Sequence, residues 1–188
     1  MILTFRKEEE EDDSYMKVIF LDFDGVINNW YSSDKVDYDN VLGLLKIIES
    51  TGAKIVATTS NKASFQAYGI EYVKTNYFQY IKLLKEYGIE IFDVTPYMKQ
   101  NREVEIMAYL ESHPEIDQFL ILDDNTICMS LLEHQVFLDL DMGIRDEHIE
   151  PSINILNGNL GFYPPNFDFN ETLEQRSIRI NEYHSRKR

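Results

Sequence analysis

The sequence KVIFLDFDGVIN, at residues 17–28, restricts the fold of this chain more than any other stretch. Its apolar run Val18–Leu21 ends abruptly in two carboxylates, Asp22 and Asp24, and Gly25 follows at once. A short apolar run that is ended by a turn residue is typical of a strand buried on both faces of a sheet. Because open α/β sheets bind their ligands at the carboxyl ends of strands, we expect these two acids to face a ligand crevice.

Strands and helices are predicted to alternate along the rest of the chain. A helix capped by Asp39 or Asn40 and ended by Gly52 leads from the first strand to a second, Ala53–Ala57. Further helices are predicted at 64–68, 77–87, 102–112, 130–134, 147–157 and from 171, and further strands at 89–94, 118–122 and 136–140. Right-handed strand–helix–strand units place their strands parallel. The sequence therefore predicts an α/β, Rossmann-like parallel sheet covered by helices on both faces.

The chain has 188 residues, which predicts one compact domain with terminal additions. We expect an acidic N-terminal lead-in at 1–15, with 2–5 as a candidate edge strand. The domain that carries the site is predicted at 16–160. A C-terminal extension at 161–188 is expected to pack on this domain or to trail from it.

Composition limits where this protein works and what it binds. Cys128 is the only cysteine, so an intramolecular disulfide is excluded and a reducing, cytoplasmic location is predicted. No apolar run is long enough to span a membrane and no signal-peptide pattern is present, so we expect no membrane partner. The net charge of −15 repels nucleic acid at long range, which disfavours a nucleic-acid partner without excluding it.

Two further predicted strands also end in polar side chains. The groups near these strand ends are Thr58, Thr59 and Ser60 after the second strand, Arg102 at a helix start, and Asp123 and Asp124 after the strand at 118–122. Each feature alone has an ordinary structural explanation, because Asp and Gly form turns and Asp caps helices. Parallel connections, however, bring all of these groups to one edge of the sheet.

The chemistry of these groups indicates a metal ion and a phosphate. Clustered carboxylates repel one another, so a divalent cation is expected among them. Oxygen ligands with room for water favour Mg²⁺ over Ca²⁺, and no His or Cys lies near the cluster at zinc spacing. A hydroxyl and an Arg beside a metal ion favour a bound phosphate. Asp22 is then positioned as a nucleophile, and Asp24 as the group that protonates the leaving group and later activates water.

These motifs resemble those of the haloacid-dehalogenase (HAD) superfamily of phosphohydrolases. The Asp-x-Asp-x-(Thr/Val) motif of that family is similar to residues 22–26, its hydroxyl motif to 58–60 and its acidic pair to 123–124. Arg102 is the best match to the Lys or Arg that the family places ahead of a helix. Over residues 17–157 the chain is similar to a small HAD subgroup, some members of which resemble the phosphatase-like domain of bacterial RNA-repair proteins.

The resemblance implies a role for each matching acid. Asp22 would be the nucleophile and a Mg²⁺ ligand. Asp24 would be the acid/base, and its backbone carbonyl would be a second Mg²⁺ ligand. Asp123 would be a further ligand, directly or through water, and Asp124 would support it. The implied cofactor is therefore Mg²⁺, held by this set of aspartates.

The resemblance also implies phosphate-binding groups, with several candidates left open. They are one hydroxyl among Thr58, Thr59 and Ser60, together with Arg102. Thr58 and Ser60 would share a face if the strand continued, and Thr59 would not. Asn61-Lys62 stands where the subgroup often has Trp-Arg, and Glu103 stands where Gly is usual. Lys62 and Lys99 are therefore alternative sources of the positive charge.

Short intervals between the motifs predict a minimal cap and an open active site. Only 35 residues, 23–57, separate Asp22 from Thr58, and predicted helices and strands occupy much of this interval and of 61–101. The predicted function is a Mg²⁺-dependent phosphatase that works through an aspartyl-phosphate. A non-catalytic HAD-like binding module and a nucleic-acid end phosphatase in RNA repair are the alternatives. A receiver domain does not fit, because here the hydroxyls precede the second acid pair.

Overall fold

Five parallel strands form one sheet with the first strand at its centre. The computed structural model of this protein describes residues 15–29, 32, 36–59, 62, 79–99, 101–125, 128–163 and 170–186. The strands are β1 (Met16–Leu21), β2 (Lys54–Ala57), β3 (Ile91–Val94), β4 (Ile116–Asp123) and β5 (Gln135–Phe137). Their order across the sheet is β3-β2-β1-β4-β5, and every neighbouring pair is parallel.

Helices cover both faces of this sheet, which confirms the predicted α/β fold. They are α1 (Tyr38–Thr51), α2 (Gln79–Glu86), α3 (Arg102–Ser112), a 3₁₀ helix (Met129–His134), α4 (Asp146–Leu156) and α5 (Leu173–Arg186). Side chains from α1, α2 and α4 form one hydrophobic core with the sheet. The other core contains side chains from α3 and from the 3₁₀ helix.

The central strand β1 contributes alternate side chains to the two cores. Ile19 and Leu21 pack in the core with α1, α2 and α4, whereas Val18 and Phe20 pack in the core with α3. All four side chains are fully buried. Burial of one such side chain contributes about 1.5–3 kcal/mol, so β1 anchors both layers. Because the alternation continues into the residues after β1, it decides which side of the sheet Asp22 faces.

The structure corrects the predicted start of the first helix. Asp37, and not Asp39 or Asn40, is the N-cap of α1, and its side chain accepts hydrogen bonds from the N–H groups of both of those residues. Gly52 ends α1 as predicted, in the left-handed conformation with φ of 68°. Several Asp and Asn residues here are acceptable caps, so only the bonded geometry identifies the cap.

The last strand of the sheet is shorter than predicted. The strand expected at 136–140 is observed as β5, because the N–H groups of Met142 and Gly143 donate to the Asp139 carbonyl at 2.8 and 2.7 Å and turn the chain back. The other compared bounds agree to within two residues. The predictions at 2–5 and 64–68, and residues 77 and 78 of the predicted helix at 77–87, lie outside the described residues.

The C-terminal helix α5 is joined to the loop after β5 by ion pairs. Arg176 pairs with Asp141, and Arg179 pairs with both Asp139 and Glu171. The division of the chain at 15/16 and 160/161 stays a prediction, as does the minimal cap, because residues 63–78 are not described. Within the described residues, every helix is too short or too polar to cross a membrane.

Candidate active site

The hydrogen-bond register of the sheet aligns three polar residues at the carboxyl edge. Leu21 of β1 lies opposite Ala57 of β2 and opposite Leu122 of β4. The next residues along the three strands are Asp22, Thr58 and Asp123. They continue the alternation that buries Phe20, Val56 and Ile121 in the core with α3. Asp22, Thr58 and Asp123 are therefore in one row, on the side of the sheet that α3 covers.

Arg102 joins this row from the first turn of α3. The helix buries residues at helical spacing, which are Arg102, Glu105, Ile106 and Tyr109. Nη1 of Arg102 lies 3.0 Å from Oδ2 of Asp22 and 2.6 Å from Oδ2 of Asp123, and it donates to Oγ1 of Thr58 at 3.2 Å. One guanidinium nitrogen thus contacts all three members of the row.

The alternative cations occupy different surroundings. Lys62 is buried, pairs with Glu105 and donates from Nζ to Oγ1 of Thr95 at 3.0 Å. Burial lowers the pKa of Lys62, and the hydrogen bond to Glu105 opposes this shift. Lys99 is exposed and has a positive φ of 55°. Arg102 is therefore the cation that the structure pairs with Asp22.

Three carboxylates of the predicted site form a cluster that fits a metal ion. Asp22, Asp123 and Asp124 each offer an oxygen, and these oxygens lie within 4.8 Å of one another. All of the donors are carboxylate oxygens, which suit a hard cation such as Mg²⁺. The exposed carboxylate of Asp24 is not among these three. A role for Asp24 as a ligand therefore rests on its backbone carbonyl, as the family resemblance implies.

Burial and mutual repulsion raise the pKa of two acids of this cluster, Asp22 and Asp124. Burial raises the pKa of Asp22 to about 6, with the charge of Asp123 adding to the shift and Arg102 opposing it. Burial raises the pKa of Asp124 to about 7, and the charges of Asp123 and Asp22 raise it further. Each raised pKa makes a contribution to the free energy of unfolding that is fully present when the pH is below the ordinary pKa of 3.8. This contribution is lost as pH rises through about 6 to 7. Near neutral pH, a bound cation would offset that loss.

Asp24 has surroundings that differ from those of Asp22. Asp22 is 8% exposed, and its Oδ1 accepts the N–H of Phe23 at 2.8 Å. Asp24 is exposed, and its Oδ1 accepts hydrogen bonds from Nδ2 of Asn28 at 3.1 Å and from the hydroxyl of Tyr80 at 2.9 Å. The two acids of one motif are thus divided between a buried cation-paired position and an accessible one.

The hydroxyl cluster after β2 contributes Thr58 to the row. Thr58 is fully buried. Thr59 is also buried, but side chains alternate along a strand, so it faces the side of the sheet opposite to Thr58. The Thr59 carbonyl accepts the N–H of Lys62 at 3.2 Å. Ser60 lies outside the described residues. Of the described hydroxyls, Thr58 is the one that Arg102 contacts.

Asn28 and Tyr80 contact Asp24, although neither was predicted from the sequence as a site residue. The spacing of aromatic residues along 77–87 indicates core packing, and the Tyr80 ring does pack near the Phe23 ring, with centroids 5.9 Å apart. Its hydroxyl nevertheless reaches a residue 56 positions away in the chain. No periodic signal in a sequence predicts such a contact, because periodicity reports only which face of an element is apolar.

Gly25 has no side chain, and the Asp124 carboxylate occupies the space where one would lie. A Cβ at Gly25 would lie 2.5 Å from Cγ of Asp124, and Gly25 has a φ of 72°. A Gly25→Ala substitution is therefore expected to displace the Asp124 carboxylate and to weaken the predicted Mg²⁺ binding about 10-fold or more, as for other groups that orient metal ligands. Isothermal titration with Mg²⁺ measures this change.

Gly52→Ala is the matched control for Gly25→Ala. Gly52 has a similar φ of 68°, but a Cβ there would meet no atom within 4 Å. Both substitutions place a residue with a Cβ in the left-handed backbone conformation, which costs about 1–2 kcal/mol of stability. Only Gly25→Ala should weaken Mg²⁺ binding, and equal affinities in the two variants would contradict the role assigned to Gly25.

Comparison with known proteins identifies a family. The family model described as the HAD domain in Swiss Army Knife RNA repair proteins matches residues 18–149, which is more than half of the chain. Neither a curated protein nor a solved structure matches the chain. The matched residues run from β1 into α4 and include the row of Asp22, Thr58 and Asp123 together with Arg102. This chain therefore belongs to the family of HAD domains in Swiss Army Knife RNA repair proteins.

Proposed function

We propose that this chain is a Mg²⁺-dependent phosphatase that works through an aspartyl-phosphate on Asp22. The observation that carries the proposal is the row of Asp22, Thr58 and Asp123 with Arg102 in contact with all three. A nucleophile, a cation and a hydroxyl in contact are the groups that phosphoryl transfer to a carboxylate requires. An ion-pair network that served only stability would not need Asp24 exposed beside it.

Asp22 is the proposed nucleophile. Its carboxylate is oriented at both oxygens, by the N–H of Phe23 at Oδ1 and by Arg102 at Oδ2. An oxygen of Asp22 attacks phosphorus while the bond from phosphorus to the leaving oxygen breaks. Arg102 and the Thr58 hydroxyl stabilise the charge on the phosphoryl oxygens. The product of this step is an aspartyl-phosphate and a free alcohol.

Asp24 is the proposed acid/base. In the first step its proton passes to the leaving oxygen. In the second step a water molecule gives a proton back to Asp24 and attacks phosphorus, and the bond between Asp22 and phosphorus breaks to release phosphate. The exposure of Asp24 suits this role, because the leaving group and the water both reach it from solvent.

The cofactor of the proposed reaction is Mg²⁺. The residues that would hold it are Asp22, Asp123 and Asp124, with the backbone carbonyl of Asp24. When bound, Mg²⁺ supplies charge neutralisation for the phosphoryl group and for the carboxylate cluster. The three carboxylate oxygens within 4.8 Å of one another support this assignment, since a cation among them would offset their mutual repulsion.

The proposed substrate class is a phosphorylated RNA end. Membership in a family of RNA-repair HAD domains supports this class. The net charge of −15 opposes long-range attraction of RNA, so recognition would depend on the terminal phosphate and its immediate neighbours. A predicted open site is compatible with a substrate of this size.

A panel of phosphate esters tests the proposed function. Phosphate release is measured with Mg²⁺ and with EDTA for 5′- and 3′-phosphorylated RNA, nucleotides, sugar phosphates, phosphopeptides and an aryl phosphate. We expect hydrolysis with Mg²⁺ and none with EDTA, and the highest kcat/KM for an RNA end. Preference for a small metabolite would contradict the substrate class alone. Inactivity toward every member would contradict the phosphatase and favour a non-catalytic binding module.

A further inference from the structure

The Asp24 carboxylate is held by two side chains from different parts of the fold. Nδ2 of Asn28 donates to Oδ1 of Asp24 at 3.1 Å, and the Tyr80 hydroxyl donates to the same oxygen at 2.9 Å. Asn28 follows β1, whereas Tyr80 lies in α2. The contact therefore links the first motif to a helix that contributes none of the motif residues.

The direction of each hydrogen bond follows from the donors that are present. Oδ1 of Asn28 accepts the N–H of Gly25 at 2.8 Å, so the Asn28 amide has its nitrogen toward Asp24. That nitrogen also lies 2.8 Å from the Tyr80 hydroxyl oxygen, which must accept there because an amide N–H only donates. The hydroxyl proton of Tyr80 is thus directed to Asp24.

Both residues are fixed by the surrounding structure. Asn28 is 6% exposed, and its backbone carbonyl accepts a hydrogen bond from Asn40. The Tyr80 ring lies against Phe23 and is packed against the core that contains α1 and α4. This packing limits the positions that the Tyr80 hydroxyl can take and favours its contact with Asp24.

We propose that Tyr80 and Asn28 are positioning residues that orient Asp24 for proton transfer through its Oδ2. The proposal rests on the proposed function, in which Asp24 is the acid/base. Both donors occupy Oδ1, and an oxygen that accepts two hydrogen bonds is a poor site for the acidic proton. Oδ2 is then the oxygen that carries the proton to the leaving group and takes it from water.

A general acid matters most when the leaving oxygen is strongly basic. An activated aryl phosphate expels a stable anion and needs little protonation, whereas an alkyl phosphate such as a ribose ester depends on it. Loss of orientation at Asp24 should therefore lower kcat/KM, which reports formation of the aspartyl-phosphate, selectively for alkyl phosphates. A general loss of folding or of metal binding would instead lower kcat/KM for both substrates together.

The test compares Tyr80→Phe with wild type on an alkyl phosphate and on p-nitrophenyl phosphate, with Mg²⁺ present. Tyr80→Phe keeps the ring and removes the hydroxyl. We expect kcat/KM for the alkyl ester to fall about 10-fold or more, and kcat/KM for the aryl ester to change less than about 3-fold, since positioned general acids contribute about 10²–10⁴. Equal losses on both substrates would overturn the positioning role while leaving the phosphatase intact.

A second measurement uses the metal-free protein and needs no activity. The side-chain carboxyl ¹³C resonance of Asp24 is expected to shift in Tyr80→Phe. It should not shift in Tyr87→Phe, which is the matched control. Tyr87 lies just after α2, and the centroid of its half-buried ring is 6.1 Å from that of the Tyr38 ring. An unchanged Asp24 resonance in Tyr80→Phe would overturn the proposal even if wild type hydrolyses phosphate esters. If wild type hydrolyses none of them, the proposed function fails and the positioning role fails with it.

Discussion

The Asp22→Asn variant is expected to lose Mg²⁺-dependent hydrolysis of phosphate esters by a factor on the order of 10³ or more, as removal of a nucleophile does in other enzymes. An amide oxygen is a much weaker nucleophile than a carboxylate and does not form the acyl-phosphate. The measurement is phosphate release from p-nitrophenyl phosphate and from an RNA end phosphate. Activity equal to wild type would contradict the assignment of Asp22 as nucleophile.

This loss is expected without loss of the fold. Burial raises the pKa of Asp22 to about 6, so the folded protein disfavours the charged form relative to the unfolded chain, and an uncharged amide of the same shape is tolerated. Asp117→Asn is the control, because Asp117 is exposed near the start of β4, at the opposite edge of the sheet. Its activity and its thermal midpoint should match wild type.

The Arg102→Ala variant is expected to lose about 3–5 kcal/mol of unfolding free energy together with phosphatase activity. Arg102 is 9% exposed and is the shared cation of Asp22 and Asp123. Its removal leaves two buried carboxylates without that compensation, and buried charge is costly when its partner is removed. Urea denaturation of the metal-free protein at neutral pH measures the effect. An unfolding free energy equal to wild type would show that the pairing contributes nothing.

An exposed ion pair elsewhere in the fold is the control for Arg102. Lys46 and Asp146 lie 3.4 Å apart with side chains 58% and 92% exposed, so Lys46→Ala should change the unfolding free energy by less than about 1 kcal/mol. If Arg102→Ala does not fold, Arg102→Lys keeps a positive charge at the same place. It should recover part of the stability, because a point charge still compensates the acids but lacks the guanidinium geometry.

Much of the fold was predictable because its signals are local. The apolar run before Asp22 marks a buried strand, and the helical spacing along residues 102–112 marks the helix that brings Arg102 to the site. Alternation of strands and helices then requires a parallel sheet, and the carboxyl edge of such a sheet collects whatever follows its strands. The choice of Asp37 as the cap of α1 was missed, because three neighbouring residues have side chains able to cap a helix.

The helices and strands, the parallel sheet and the polar groups at its edge follow from the amino-acid sequence, because they depend on short-range periodicity and on residue chemistry. Which of these groups are in contact depends on how the elements pack. Register between β1, β2 and β4 aligned Asp22 with Thr58 and Asp123. The packing of α3 selected Arg102 over Lys62, and that of α2 brought Tyr80 to Asp24. Such contacts join residues far apart in the chain, and their geometry depends on how whole elements pack.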